Sequence, residues 1–137
     1  MQVDYFVNRS ITAEQFVELL QQTTLGVRRP LDDKDCINSM LSNADLLVSA
    51  WVDERLVGVA RSVTDFSFCC YLSDLAVSQN VQASGIGKEL IRHTFGALQD
   101  GCKLILLSAP QATEYYPKIG FTQHNSCWLM SDVSELR

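Results

Sequence analysis

Gln82-Ala83-Ser84-Gly85-Ile86-Gly87-Lys88 stands between an apolar run that ends at Val77 and a helical period that begins at Ile86. In the order strand, glycine turn, helix, the first N–H groups of the helix and the positive end of its dipole face one point, and such a point binds phosphate. Gly85 and Gly87 let backbone without Cβ approach an anion and can take the positive φ angles a turn of this kind needs. A tight strand-to-helix turn without a ligand is the other reading of an isolated G-x-G. Two phosphate motifs are excluded by residue type. A P-loop needs Gly where Gln82 stands and Ser or Thr where Glu89 stands, and a dinucleotide fingerprint needs Gly or Ala where Leu90 stands.

Downstream of the loop, Ile86, Leu90, Ile91, Phe95 and Leu98 form one apolar helix face, Gly101 is placed as its C-terminal cap, and residues 104–108 read as a strand. Upstream, residues 46–52, 56–63 and 68–77 are apolar runs separated by the polar Asp53-Glu54-Arg55 and by Thr64-Asp65, the pattern of an antiparallel meander. Further upstream, a strand over residues 2–7 precedes a capping box, Thr12-Ala13-Glu14-Gln15, with Ile11 and Phe16 spaced as a hydrophobic staple. A second helix, capped by Asp32 or Asp33, carries Ile37, Met40 and Leu41. After the loop unit, a short helix over residues 112–116 and two strands, around Phe121 and over residues 127–130, are expected to finish the chain.

With 137 residues, of which 47% are hydrophobic and 20% charged, the sequence fits one domain over residues 1–137. A net charge of −5 is the wrong sign for a domain that neutralises phosphates, so nucleic acid is not an expected partner. The five cysteines are odd in number and none are arranged as C-x-x-C, which signals neither a disulfide framework nor zinc; mostly buried thiols and no metal are expected. No apolar run approaches the ~18 residues of a membrane span, and the start lacks the basic flank and apolar stretch of a signal peptide. No membrane association is expected, and the cytoplasm is the expected compartment.

The loop resembles the pyrophosphate loop of the Gcn5-related N-acetyltransferase family, Q/R-x-x-G-x-G/A, here Gln82 to Gly87. Tyr71-Leu72-Ser73-Asp74-Leu75-Ala76-Val77 resembles that family's fourth strand, and Tyr115-Tyr116-Pro117-Lys118-Ile119-Gly120-Phe121 its tyrosine-bearing helix and G-F turn. The resemblance implies an α/β fold: a twisted, mixed, mostly antiparallel sheet split between its fourth and fifth strands, with helices on both faces. Acetyl-CoA is implied as co-substrate, lying in the split. Leu75, Ala76 and Val77 are implied to pair with the acetyl group and pantetheine through their main chain, Gln82, Ala83, Ser84, Gly85, Ile86, Gly87 and Lys88 to surround the pyrophosphate, and Ala109 to border the CoA arm on the opposite side. Pairing through backbone needs no particular side chain, which is how so ordinary a run as Leu75-Ala76-Val77 can serve.

Acetyl transfer to an amine needs a neutral nitrogen, a donor for the developing oxyanion and a proton for the leaving thiolate. The resemblance gives the oxyanion to the Leu75 amide and the proton to Tyr116, with Tyr115 as a packing aromatic. Pro117 disfavours helical geometry at Tyr116 and removes a helix hydrogen bond. The family's glutamate positions fall on Tyr71 and Ser73, which are no bases at neutral pH. Asp74 is the nearest carboxylate, read as a base acting through water or as the counter-charge of a cationic acceptor, with water chains alone as the alternative. Arg61 and Asp65, at the end of the third strand, are candidates for the acceptor pocket; a solvated hairpin end is the plainer reading. His93 reads as surface or packing, and His124 is a remote acceptor-side candidate. The expected activity is transfer of acetyl to a primary amine of a small molecule. Acetylation of a peptide or protein, and a non-catalytic CoA-binding module, are the alternatives. The final strand with Trp128, Leu129 and Met130 is expected to pair across a homodimer.

Overall fold

Alternation in the three central apolar runs places apolar side chains on both faces of a sheet, so the sheet must be covered twice. The structure is a computed structural model describing residues 1–82 and 84–137; Ala83, assigned above to the pyrophosphate loop, lies outside the described residues. The chain divides into two compact units, Met1–Leu107 and Ser108–Arg137.

The first unit holds a five-stranded sheet in the order β1-β2-β3-β4-β5, made of β1 (Asp4–Val7), β2 (Leu46–Val52), β3 (Arg55–Thr64), β4 (Cys69–Val77) and β5 (Lys103–Ile105). Each of β1 to β4 is antiparallel to its neighbour, and β5 is parallel to β4. This is the mixed, mostly antiparallel sheet that the family resemblance implies.

On one face lie α1 (Ala13–Gln21) and α2 (Lys34–Ser42). The capping box forms as read: Thr12 Oγ1 accepts from the Gln15 amide at 3.0 Å, and Gln15 Oε1 accepts from the Thr12 amide at 2.9 Å. Of the two aspartates available to cap α2, Asp33 does so, accepting from the Cys36 amide at 3.0 Å. Phe16, Leu19 and Leu20 of α1 and Ile37 of α2 cluster with Leu47, Val59 and Ala76 of the sheet.

On the other face, α3 (Ile86–Gly96) lies across β1 to β4 and buries Ile86, Leu90, Ile91 and Thr94. Its close seat depends on Gly58 of β3: a Cβ there would stand 3.1 Å from Leu90 Cδ1 and 3.2 Å from Ile86 Cγ2. Burying Ile86 and Leu90 stabilises this seat by about 1.5–3 kcal/mol per side chain, and the N-terminus of α3 is thereby fixed relative to the strand that precedes it.

The second unit contains α4 (Tyr115–Lys118) between two 3₁₀ turns, Pro110–Ala112 and Val133–Glu135. Several boundaries differ from the sequence reading: the short helix expected over residues 112–116 covers Tyr115–Lys118, and the first strand begins at Asp4 rather than at residue 2. Helix α3 stops at Gly96, where the Ala97 and Leu98 amides fold back onto the Thr94 and Phe95 carbonyls, and Gly101, at φ +88°, serves instead the turn closed by the Cys102 amide on Gln99 O. Strand β5 covers residues 103–105 rather than 104–108. Neither Phe121 nor residues 127–130 form a strand, and the dimer pairing expected of Trp128, Leu129 and Met130 loses the strand it was built on. Within residues 108–137 there is no other described strand whose main chain could pair with theirs. Of the five cysteines, Cys70 and Cys102 are buried, Cys36 half-buried, and Cys69 and Cys127 exposed. No helix among the described residues is long and apolar enough to cross a membrane.

Gly58→Val is expected to destabilise the protein by about 1–3 kcal/mol in urea unfolding, because the added methyl groups must push α3 off the sheet. Gly96→Ala, where a Cβ meets open space at the helix end, is the control and should be neutral or stabilising by up to ~1 kcal/mol.

Candidate functional site

The split in the sheet follows from strand length. From Cys70 to Val77, Ser73 excepted, β4 pairs with β3, but β5 pairs only with its first residues, Cys69 with Lys103, Cys70 with Leu104 and Tyr71 with Ile105. Residues 72–77 therefore have no strand along their outer edge among the described residues. The direction of their main-chain groups can be read from one bond. The Ser78 amide donates to Val57 O of β3 at 2.8 Å, and since N–H groups alternate along a strand, Ala76 also points toward β3 while Leu75 and Val77 point outward. Of the three residues to which the family resemblance gave main-chain pairing, Leu75 and Val77 face outward and Ala76 faces β3. An extended ligand carrying amides, such as a pantetheine arm, can add to this edge as a further strand.

The outward edge runs into the loop and α3. Gly85 stands at the N-cap with φ +80°, and a Cβ there would meet nothing within 4 Å, so the glycine is required by backbone angle and leaves the turn bare on its open side. The start of the turn is tied to α1: Ser78 Oγ donates to Gln22 Oε1 at 2.9 Å and the Gln79 amide to Gln22 O at 3.1 Å. Gln82 donates its side-chain amide to Val77 O at 3.0 Å, and Ser84 Oγ donates to Val81 O. Both side chains brace the loop in this structure. The exposed backbone edge and the Cβ-free turn form a strip that suits a pantetheine arm joined to a pyrophosphate.

Asp74 has an environment the sequence did not foretell. It is 0% exposed, and both carboxylate oxygens accept from guanidinium groups: Oδ1 from Arg29 Nε at 2.6 Å and Oδ2 from Arg61 Nε. Arg61 also donates from Nη2 to Ser73 Oγ at 3.0 Å and from Nη1 to Met40 O at 3.4 Å, and Arg29 donates from Nη2 to Ser73 O at 2.8 Å. Arg61 is thus buried within the sheet's α1/α2 face rather than lining an open pocket. The network surrounds a β-bulge: Arg61 faces Asp74 while Ser62 faces Leu72, so Ser73 is an extra residue on β4. Removing one member of such a buried ion group typically costs about 3–5 kcal/mol, because its partners are left charged and unpaired. Arg29 was missed by the sequence reading. Its local signal was Pro30, which imposes the extended backbone seen at Arg29, φ −132° and ψ 151°.

Asp65 stands apart from this network. Its Oδ1 accepts from the amides of Phe68 at 2.8 Å, Ser67 at 3.0 Å and Cys69 at 3.1 Å, which shapes the β3–β4 turn and, through the Phe68 bond first, holds the carboxyl below the usual carboxylate range. His93 stacks on Tyr5 with ring centroids 4.9 Å apart and places Nδ1 2.8 Å from Glu89 O on the surface of α3, the packing role read for it. Among the described residues no group of His, Cys, Asp and Glu could hold a metal ion.

In the second unit, Ala109 is the N-cap of the first 3₁₀ turn, and its carbonyl accepts from the Ala112 amide at 2.9 Å. Tyr116 is held by the end of its own short helix. Gly120, at φ +105°, occupies the left-handed position after α4; its amide bonds Pro117 O at 3.2 Å, and the Phe121 amide bonds Tyr116 O at 3.0 Å. This is a Schellman motif, and its usual apolar contact is here the edge-to-face pair of Phe121 and Tyr116 rings, 5.3 Å apart at 77°. Pro117 falls within the first turn of α4, where its missing N–H has no intrahelical partner to lose, so the helix forms through it. Burial, and secondarily the neighbouring Tyr115, raises the Tyr116 phenol above its ordinary value, which keeps the hydroxyl protonated at neutral pH. His124 lies in the same unit, with Nδ1 accepting from the Ser126 amide at 3.2 Å.

Residues 20–130 match the family profile of the acetyltransferase (GNAT) domain. An uncharacterized N-acetyltransferase, ycf52, of Gracilaria tenuistipitata var. liui is 31% identical over 108 residues, 77% of this chain and 59% of its own length, so the chain spans about three fifths of that curated relative. A histone acetyltransferase, TAP1, of Glycine max is 33% identical over 70 residues, 50% of this chain and 30% of its own. Among solved structures, an aminoglycoside acetyltransferase from an uncultured soil metagenomic sample, in complex with sisomicin, superposes with a TM-score of 0.67 at 19% identity, covering 95% of each chain, a likeness of fold. With the family profile spanning most of the chain and the split sheet carrying its glycine turn, this chain belongs to the GNAT acetyltransferase family.

Proposed function

We propose that the chain transfers acetyl from acetyl-CoA to a primary amine of a small molecule by direct attack within a ternary complex. The observation that carries this is the outward edge of β4: two main-chain positions, Leu75 and Val77, aimed away from the sheet and continuous with a Cβ-free turn at a helix N-terminus. Bound acetyl-CoA supplies an activated thioester. Val77 pairs with the pantetheine, and the α3 amides with the pyrophosphate. The Leu75 N–H donates to the acetyl oxygen as it gains charge. The Tyr116 hydroxyl gives its proton to the departing thiolate and is restored by the proton that the amine loses through water. Asp74, with both oxygens engaged, is not the base in this scheme; water performs the deprotonation.

For the acceptor, the acidic chain suits a cationic amine, and the fold is shared with a protein captured with sisomicin. Acetylation of a protein amine is the second reading, favoured by the name of the Glycine max relative. A screen of small amines and peptides with acetyl-CoA, following thiol release, separates them: turnover with small amines supports the proposal, turnover with peptides alone transfers it to the second reading, and binding without turnover leaves a cofactor sensor.

Three variants test the parts. Saturating acetyl-CoA, at about a hundred times its Kd, should stabilise the protein by ~2.7 kcal/mol, seen as a rise in Tm, with much smaller effects from NADH or ATP. Gly85→Val should abolish the rise; a folded variant that responds like the parent would remove the loop from the site. Tyr116→Phe keeps the ring pair with Phe121 and should lower kcat by about 10²-fold, the lower end for a positioned acid because a thiolate leaves readily. The alkaline limb of the parent's rate profile, set by the raised phenol, should lie beyond about pH 10 and vanish in this variant. Tyr115→Phe should be nearly silent, and activity lost there but kept in Tyr116→Phe would exchange the two assignments.

A further inference from the structure

We infer that Arg29 is a positioning residue for this site: through Asp74 and the Ser73 carbonyl it sets the shape of the β4 bulge, and so aims the main chain of Leu75 and Val77. The inference rests on the acetyl-CoA reading of that strand. In an ordinary antiparallel pair every inward carbonyl finds a partner on the next strand, but an extra residue breaks the alternation and needs a partner from elsewhere. Ser73 is that residue, and Arg29 reaches it across 44 positions of sequence from the α1–α2 connection, donating from Nη2 to Ser73 O at 2.8 Å.

The same guanidinium donates from Nε to Asp74 Oδ1, so one planar fork grips a carbonyl and a carboxylate on consecutive residues. Arg61 closes the other side with Nε on Asp74 Oδ2 and Nη2 on Ser73 Oγ. Between them the two arginines take both side chains of the bulge and its free carbonyl. An ammonium could satisfy the charge of Asp74 but not hold both acceptors in the plane of one group. The next residue along β4 is Leu75, whose N–H the functional reading gives to the acetyl oxygen. A side chain from the α1–α2 connection, with only 20% of its surface exposed, thus governs the direction of a backbone donor it does not touch.

The test compares the parent with Arg29→Gln, Arg29→Lys and, as a control at the exposed start of β3, Arg55→Gln. Acetyl-CoA affinity is measured by calorimetry well below the melting temperature, and amide hydrogen exchange is followed in peptides covering residues 69–77. Arg29→Gln should raise the acetyl-CoA Kd about ten-fold or more and speed exchange in those peptides; Arg29→Lys should recover much of the Tm but not the affinity, and Arg55→Gln should match the parent. A lower Tm with unchanged Kd and exchange in Arg29→Gln would make Arg29 a structural residue only, and parent-like affinity in Arg29→Lys would show that charge without the fork suffices; either result overturns the inference. If Arg29→Gln fails to fold, the Arg29→Lys affinity decides alone. If the parent itself binds no acetyl-CoA, the functional reading falls, and the exchange result still decides whether Arg29 shapes the bulge.

Discussion

A carboxylate with no exposed surface, held between two guanidinium groups, fixes the point at which the fourth strand leaves regular pairing. Burying one negative and two positive groups is unfavourable unless every oxygen and most N–H groups find partners, and Asp74, Arg61, Arg29 and Ser73 meet that condition together. The same condition makes the arrangement stiff, since no member can move without stranding a charge. The bulge at Ser73 sits two residues before Leu75, so the stiffness lies where the proposed backbone donor needs it.

Around that point the fold divides its labour between backbone and side chain. Apolar side chains decide where elements sit: Phe16, Leu19 and Leu20 hold α1 to one face of the sheet, and Ile86 and Leu90 press α3 against Gly58 on the other. Polar side chains brace backbone, as Asp65 does for Ser67, Phe68 and Cys69 and Gln82 does for Val77. The proposed function then leaves binding to groups every residue carries: the outward main chain of β4 and the amides that open α3. Such a site gives wide latitude to the residues that form it and little latitude to the geometry that holds them.

That division explains what could be read from the sequence. Glycine loops, capping boxes and apolar periods are local, and the loop at Gly85, the cap at Thr12 and the three-strand meander all stand where the residues place them. The Tyr116 helix was local too, and its lock by Gly120 and Phe121 was written in the G-F pair. The partners of Asp74 were not local: Arg29 and Arg61 approach from 45 and 13 positions away, and no periodicity links them. An isolated carboxylate near a bulge reads as a base until its neighbours are known. The ends of elements were misjudged for a related reason. Gly101 has the residue type of a helix cap, but the chain needed it one turn later, to enter β5, and a strand at residues 127–130 requires a neighbour that apolar composition alone does not supply.

The account turns on whether acetyl-CoA lies along the outward edge of β4 and over the start of α3. Titrating isotope-labelled protein with acetyl-CoA and following the backbone amides by NMR addresses this directly. The account predicts that the largest shift changes fall on Leu75, Val77 and the amides of Ile86, Gly87 and Lys88, while the amides of α2, on the covered face, stay in place. Saturable binding with shifts centred elsewhere, or no shifts at all, would contradict it.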